Sequence, residues 1–537
     1  MPNILNPILP GFHPDPCICR KDDNYYIATS TFEWFPGIRL FHSKDLVNWQ
    51  CVGHAATRKS QLDMKGIPNS GGVWAPDMTW HDNKFWIVYT NTLSVFSPVK
   101  IYDTYLITAD NIEGPWSEPV KLAVGGFDPS LYHDENGKKY VSYRIGGQRN
   151  NADPFNTIVI QELLIDEMRM SEKIIPIFYG TELKYTEAPH IYHIGNYYYL
   201  ITAEGGTRYE HAVTVARSGN IFGPYELHPD ETILSSWSDP RATIQKAGHG
   251  SLVKVGEDEW YMAFLSSRAM RLPDSALLTG GVRGYCPLGR ETSIVKIFWQ
   301  NEWPYVEGGK VPSVEVIAPK LTQTKWERDE LQFDDFTCQS LSHHYQTLRI
   351  PFSDEIGSLT AQQSFIRLYG KDYLVSMHTQ SLVARRWQHD NFQCETKLAF
   401  EPTNFQQNAG LTCFYNTENF SEISVSYDST HGKIIRLVQF DHNTPVYHIW
   451  DDPIRIPADT LYIYFRATIS GLQYHYSYSF DGIAWQSVDV KLDSWKLSDD
   501  YVGGRGFFTG AMIGIFCSDL SRIGCHADFD YLSYKII

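Results

Sequence analysis

One pattern is written five times in the first three-fifths of this chain. A loop leads into a short apolar strand, a polar turn follows, and a second strand rich in aromatic and β-branched residues returns. The copies run through His13-Pro14-Asp15-Pro16 to Tyr25–Ala28, Val73–Asp77 to Phe85–Tyr89, Gly126–Pro129 to Tyr140–Tyr143, Tyr185–His190 to Tyr197–Thr202, and Gly248–Ser251 to Trp260–Phe264. Turns at Asp23-Asn24, Asp82-Asn83, Asn136-Gly137, Gly195-Asn196 and near Gly256 suit hairpins, because Gly, Asn and Asp tolerate positive φ. Aligned on a proline slot, the copies sit at Pro16, Pro76, Pro129, Pro189 and Ser251, in steps of 60, 53, 60 and 62 residues. Repeats of this length, each opening with a hairpin, predict one small sheet per repeat, arranged in a ring. The expectation is a five-bladed β-propeller. In several blades a polar turn closing on an aromatic follows the hairpin (His42–Trp49, Thr108–Trp116, Ala216–Tyr225), as expected between outer strands. In blade 3 this signature degrades to Leu163–Met168, leaving the strands of that blade open.

In a propeller, matching positions at the start of the innermost strands surround the central axis. Immediately before the proline slot stand Asp15, Ala75, Asp128, Ala188 and Gly250, and one residue earlier stand Pro14, Trp74, Phe127, Glu187 and His249. The ring thus gathers carboxylates, aromatics, a histidine and small residues. That composition suits a pocket that cleaves sugars: carboxyl groups for acid and base work, flat faces for stacking, small residues for room. By contrast, Asp23, Asp82 and Asp134 sit in or beside turns and read as structural.

The chain has 537 residues, too many for one ordinary core. Its formal net charge of −16 disfavours a polyanionic partner such as nucleic acid. No apolar run reaches membrane-spanning length. Met1–Pro16 shows neither a basic nor an apolar signal segment, so no signal peptide is expected. Nine cysteines in no metal-binding array read as buried free thiols in a reducing compartment, with Cys17 and Cys19 on one face of a strand. Together these features predict a cytoplasmic enzyme with a substrate small enough to import.

The repeat fades after residue 318. Residues 319–329 read as a connector, and 330–537 alternate polar and apolar residues over short runs separated by turn clusters such as Asp428–Gly432 and Phe480–Gly482. Many short strands without helical periodicity predict a jelly-roll-like β-sandwich, so the fold class is all-β throughout.

Several stretches carry a resemblance to a known family. Gly11-Phe12-His13-Pro14-Asp15-Pro16, Trp74-Ala75-Pro76-Asp77, Phe127-Asp128-Pro129-Ser130, Thr186-Glu187-Ala188-Pro189-His190, Gly248-His249-Gly250 and Pro287–Thr292 resemble glycoside hydrolase family 43 and its two-domain β-xylosidases. The resemblance spans essentially the whole chain. It implies an inverting hydrolysis with Asp15 as general base, Glu187 as general acid, and Asp128 orienting Glu187 and raising its pKa through like charge. Inversion needs about 6.5–9.5 Å between acid and base to admit water. Spacing alone leaves inversion and retention open.

The same resemblance places Arg290 on sugar hydroxyls, a fork suited to vicinal oxygens, and Thr207 and Ala75 in the pocket. Phe32, Trp74 and Phe127 are expected as stacking faces, although anonymous aromatics also serve as core. His249 is expected near the axis. No cofactor is required, and a divalent cation such as calcium near His249 is compatible with the family. The C-terminal sandwich is expected to pack on the propeller and send the loop Gly503–Gly510 to the pocket rim, with Phe508 closing it and Phe507 turned toward the sandwich.

The implied activity is release of xylose from the non-reducing end of short β-1,4-xylooligosaccharides by a dimer or tetramer. The alternatives are an α-L-arabinofuranosidase on the same scaffold, a sugar-binding propeller without catalysis, and a retaining fructan enzyme of similar shape.

Overall fold

The computed structural model describes residues 3–95, 100–145, 157–272, 283–321, 332–449, 453–504 and 506–537. Most of the expected connector (322–329) and Arg505 of the aromatic loop lie outside these residues. The fold is all-β: among the described residues the helices are one four-residue α-helix, Asp499–Val502, and a short 3-10 turn, Ser494–Lys496.

Each repeat forms one four-stranded antiparallel sheet, giving five blades. Their innermost strands are Cys17–Lys21, Gly72–His81, Phe127–His133, Glu187–Ile194 and Gln245–Val255. Blade 3 keeps all four strands, the outer two being Thr157–Leu164 and Arg169–Phe178. The aromatic that ends each outer turn has a physical task. Trp49, Trp116 and Tyr225 donate back to the carbonyls of Leu46, Ile112 and Ile221, which pins the turn. The first hairpin turn sits one residue earlier than expected, at Asp22-Asp23, because Asn24 already pairs with Lys21.

The ring closes between blades 5 and 1. Asn3–Leu5 pairs with Glu315–Ile317, and the Asn6 amide exchanges hydrogen bonds with the backbone of Ile294 in blade 5. Ile18, Tyr25 and Ile27 of blade 1 share one buried cluster with Val253, Tyr261 and Ile294 of blade 5.

The C-terminal residues form two sheets that face each other across a core including Trp387, Phe392, Phe465 and Tyr476. One sheet continues into the propeller. Trp34–Phe35, from the loop between strands of blade 1, pairs antiparallel with Gln346–Leu348 of the sandwich. A second buried cluster mixes Phe12, Phe32 and Trp74 of the propeller with Leu348, Phe414 and Phe516 of the sandwich. The thiols are all free, but only partly as expected: five are buried, whereas Cys338 is exposed.

Candidate active site

The ring of site residues is built by a backbone irregularity repeated around the axis. In blade 3, Phe127 faces Arg144 while Ser130 faces Ser142, so the inner strand carries one extra residue. The same skip occurs at Trp74/Asp77 in blade 2 and Glu187/His190 in blade 4. A bulge of this kind bends the strand and re-aims its side chains. The extra residue takes positive φ: Ala75 at 30°, Asp128 at 51°, Ala188 at 50°, with Asp15 at 54° just ahead of the first strand. In blade 5 the bulge falls between Gly248 and Gly250, and the residue with positive φ is His249, at 53°. The backbone therefore puts His249, not Gly250, in register with Asp15 and Asp128. Non-glycine residues rarely hold this conformation, and five of them around one axis mark a strained ring kept for what it presents.

What it presents is a cavity of about 680 Å³ lined by Asp15, Asp128 and Glu187, together with Phe32, Trp74, Phe127, Thr207, His249, Arg290 and Phe508. Ala75 is the exception among the expected residues. It does not line the cavity; its backbone N–H donates to Ser30 Oγ at 2.8 Å, and that hydroxyl donates to Asp15 Oδ2 at 2.6 Å. Ala75 thus supports the carboxylate from behind. Asp15 Oδ1 accepts from Arg290 Nη1 at 3.2 Å and lies 3.7 Å from His249 Nδ1. Burial pushes the His249 imidazole down to about 3, so it stands there neutral.

Asp128 and Glu187 share one electrostatic problem. Burial, then the charges of Glu187 and Asp15, push Asp128 well above the usual carboxylate range. Burial is also the largest cause raising Glu187, with Asp15 adding to it and Arg144 opposing. The like-charge effect expected from Asp128 alone is therefore not the main source of the Glu187 shift. Both carboxyls are raised and their titrations are linked, so the protonation steps belong to the pair. Asp128 also accepts the backbone N–H of Ala188, which fixes the residue next to Glu187.

Cations surround the three acids. Besides Arg290, the cavity is lined by Lys100, Arg144 and Arg208, and Arg144 Nη1 donates to Glu187 Oε2 at 2.6 Å. Arg144 was not among the expected residues. Its signal was its slot: on the second strand, opposite the residue before the bulge, blade 3 has Arg144 where blades 2, 4 and 5 have Thr90, Ala203 and Leu265. The guanidinium also packs over the Phe127 ring, 4.7 Å from its centroid.

The sandwich completes the wall. Phe508 packs on Phe32 and Trp74, with ring centroids 5.7 and 5.2 Å away. Its backbone is clamped: the N–H donates to Ser70 Oγ at 3.0 Å, and the carbonyl accepts from Arg290 Nη2 at 2.9 Å and Nε at 3.3 Å. Arg290 Nη1 also reaches Thr207 Oγ1 at 2.9 Å. Phe507 does not turn into the sandwich. It lines the same cavity, with Arg208 packed over its ring at 5.1 Å.

Two residues beyond each positive-φ position lies a second polar belt, Cys17, Asp77, Ser130, His190 and Ser251. The Cys17 thiol meets Asp77 Oδ1 at 2.9 Å, His190 Nδ1 lies 3.3 Å from Asp77 Oδ1 and 3.2 Å from Ser130 Oγ, and Ser251 Oγ accepts the Ile18 N–H. Cys17, Asp77 and His190 are close enough to share an ion, as are Cys286, Asp499 and Asp500. Calcium takes about six to eight oxygen ligands. Near His249 the carboxylate in ion-pair range, among the described residues, is Asp15, so a calcium ion there would take its other ligands from waters and backbone carbonyls. Catalysis in family 43 needs no cofactor.

Comparison with known proteins agrees with this architecture. The chain matches the model of glycosyl hydrolases family 43 over residues 4–304 and that of the beta xylosidase C-terminal concanavalin A-like domain over residues 333–535. It is 51% identical to a beta-xylosidase of Bacillus subtilis over 99% of both chains. It is 39% identical to a xylosidase/arabinosidase 43B of Humicola insolens, over 100% of this chain and 98% of the other. Among solved structures, a xylan beta-1,4-xylosidase from Bacillus halodurans superposes with a TM-score of 0.95 at 43% identity, covering 99% of this chain and all of the other. With the five blades, the carboxylate ring and the sandwich-borne aromatic in place, the chain belongs to glycoside hydrolase family 43.

Proposed function

We propose that this glycosidase is an exo-acting, inverting β-xylosidase that removes xylose from the non-reducing end of short β-1,4-xylooligosaccharides. One observation carries the reading: the cavity that holds all three carboxylates is capped by Phe508, whose carbonyl is bonded to the same Arg290 that touches Asp15. A capped pocket receives a chain end and excludes a chain interior. Similarity to xylosidases along the full chain supports the substrate class.

In this reading a terminal xylose lies against Phe32, Trp74 and Phe127, with its hydroxyls meeting Arg290 and Thr207. Glu187 transfers its proton to the glycosidic oxygen as the C1–O bond breaks. A water, deprotonated by Asp15, attacks C1 from the opposite face, so the product is born as the α anomer. Glu187 ends ionised and Asp15 protonated, and exchange with solvent resets both. Tyr185, Leu183 and Arg208 line the part of the cavity nearest the Glu187 loop and receive the leaving sugar.

NMR of xylobiose hydrolysis tests this. Initial α-xylose, with turnover collapsing in Glu187→Ala, is expected; initial β-xylose overturns the mechanism. Activity on aryl arabinofuranosides, the second reading, is supported by similarity to a relative named for both sugars. The ratio of kcat/KM on aryl xyloside and aryl arabinofuranoside decides between them. A cytoplasmic setting accords with nine unpaired thiols, and assembly as a dimer or tetramer is to be measured by light scattering.

A further inference from the structure

Behind the loop that carries Asp15, at the seam between propeller and sandwich, lies a small cavity of about 60 Å³ lined by His13, Arg39, Phe41, Trp49, Cys51 and His344. Its chemistry is one-sided. Arg39 and Arg386 are 3% and 2% exposed, and His13 and His54 are buried beside them. Arg39 Nε donates to Cys51 Sγ at 3.2 Å, while Arg386 Nε donates to the Phe12 carbonyl at 2.5 Å and its Nη1 to Gln346 Oε1. Neither arginine forms an ion pair among the described residues. The charges acting on His54 come from Arg39, Arg386 and His343, and those acting on Arg386 from Arg39 and Cys51; no carboxylate is among them. Burial and the two guanidiniums hold His13 and His54 well below the ordinary imidazole range, so both are neutral.

Three buried polar atoms here lack a hydrogen-bond partner among the described residues: His13 Nδ1, His54 Nε2 and Arg386 Nη2. A guanidinium stays charged at any working pH. Two of them out of water without a counter-charge are costly, and buried charges are normally paired. Among the described residues no carboxylate pairs with either guanidinium, and an ion from outside the chain would compensate them. We propose that this interdomain cavity is a binding site for a small monovalent anion of chloride's size, held by Arg39 and the imidazole N–H of His13, which line it, with Arg386 adding to the positive field and His54 nearby, both outside the lining. The volume sets the size limit: a water centre needs about 10–15 Å³ of such space, so the cavity takes one halide with a little water.

The site is placed to matter. Arg386 comes from the sandwich and grips Phe12, while the His13 N–H donates to the Arg290 carbonyl at 2.9 Å and the His13 carbonyl accepts from Thr292 Oγ1 at 2.6 Å. An anion here neutralises the repulsion between Arg39 on blade 1 and Arg386 on the sandwich, and so joins the two domains behind the Asp15 loop.

Thermal unfolding of the full chain in sodium chloride, against sodium gluconate at constant ionic strength, tests the site. A ligand of the folded state alone raises Tm with the logarithm of its concentration, here on the order of 2 °C per tenfold chloride. Gluconate is too large to enter and is expected to leave Tm flat. Arg39→Met is expected to abolish the chloride slope. Equal behaviour in both salts, a slope kept in Arg39→Met, or a response confined to sulfate and phosphate overturns the assignment. Should the variant not fold, a bromide-soaked crystal of the unmodified protein decides: an anomalous peak in the cavity beside Arg39 and His13 is expected, and its absence rejects the site.

Discussion

Arg144 bears directly on Glu187, the proposed acid. A guanidinium 2.6 Å from Glu187 Oε2 favours the carboxylate, whereas catalysis needs the carboxylic acid. Burial works the other way and keeps both Glu187 and Asp128 raised. Activity is therefore lost on the alkaline side, as Glu187 loses its proton. Removing the cation in Arg144→Gln removes a cause that lowers the Glu187 pKa, so the alkaline limb of kcat/KM on xylobiose should move to higher pH. A limb that stays in place would show that Arg144 serves only packing on Phe127. The two catalytic carboxylates are separable by leaving group. Glu187→Gln and Asp15→Asn should each cost about 10²–10⁴-fold on xylobiose, the range for general acid–base groups. On an aryl xyloside whose phenolate leaves unaided, the Glu187 variant should recover most of its loss and the Asp15 variant little. Equal recovery in both would reverse or void the assigned roles.

At the scale of elements, the aromatic loop from the sandwich is set by a single backbone position. Gly506 has φ of 99°, and a Cβ added there would stand 2.6 Å from Asn69 Cβ. Gly506→Ala should displace the loop, take the Phe508 carbonyl off Arg290 and raise KM about tenfold. Steady-state kinetics on xylobiose checks this, and an unchanged KM would mean that the clamp at Ser70 suffices. The propeller beneath this loop was legible because hairpins are local: turn residues and strand patterns lie within a dozen positions, and the repeat multiplies them. The carboxylates were legible because the Asp-Pro and Glu-Ala-Pro stretches mark the bulge. In blade 5 the marker is gone, since Gly250 stands where the other blades have proline, and the register of His249 slipped by one. Ala75 was misplaced for a related reason: a bulge decides which way a side chain faces, and sequence spacing does not record that. Pairing of Trp34–Phe35 with Gln346–Leu348 joins residues more than 300 positions apart, and no local pattern encodes such a partner. Phe507 went the same way, because two adjacent rings can both reach a cavity when the loop between glycines twists.

At the scale of the whole molecule, the candidate site is held by both domains. The sandwich supplies the Phe508 carbonyl for Arg290, the Arg386 grip on Phe12, and Arg349, which donates to the Ile67 carbonyl at 2.6 Å and to Asn69 Oδ1 at 3.0 Å in the loop that carries Ser70. A fourth tie is a buried ion cluster. Lys246, in the innermost strand of blade 5, lies 2.6 Å from Asp499 and 3.0 Å from Asp500, with its side chain 1% exposed. Those acids open the short helix that leads into the aromatic loop. Burial and the neighbouring Asp500 push Asp499 up to about 7 even with the lysine present. An acid whose folded pKa is raised destabilises the fold as pH climbs from the ordinary carboxylate range through that value, because the buried charge then has to form. Lys246→Met removes the compensating cation and leaves two buried carboxylates. It should cost about 3–5 kcal/mol of stability at pH 8, as broken buried pairs do. The loss should shrink toward pH 5, where protonation neutralises Asp499. Denaturant unfolding at the two pH values measures the difference, and KM on xylobiose should rise along with it as the loop comes loose. Equal destabilisation at both pH values would show that the lysine acts by packing and not by charge, and an unchanged KM would detach the cluster from the pocket altogether.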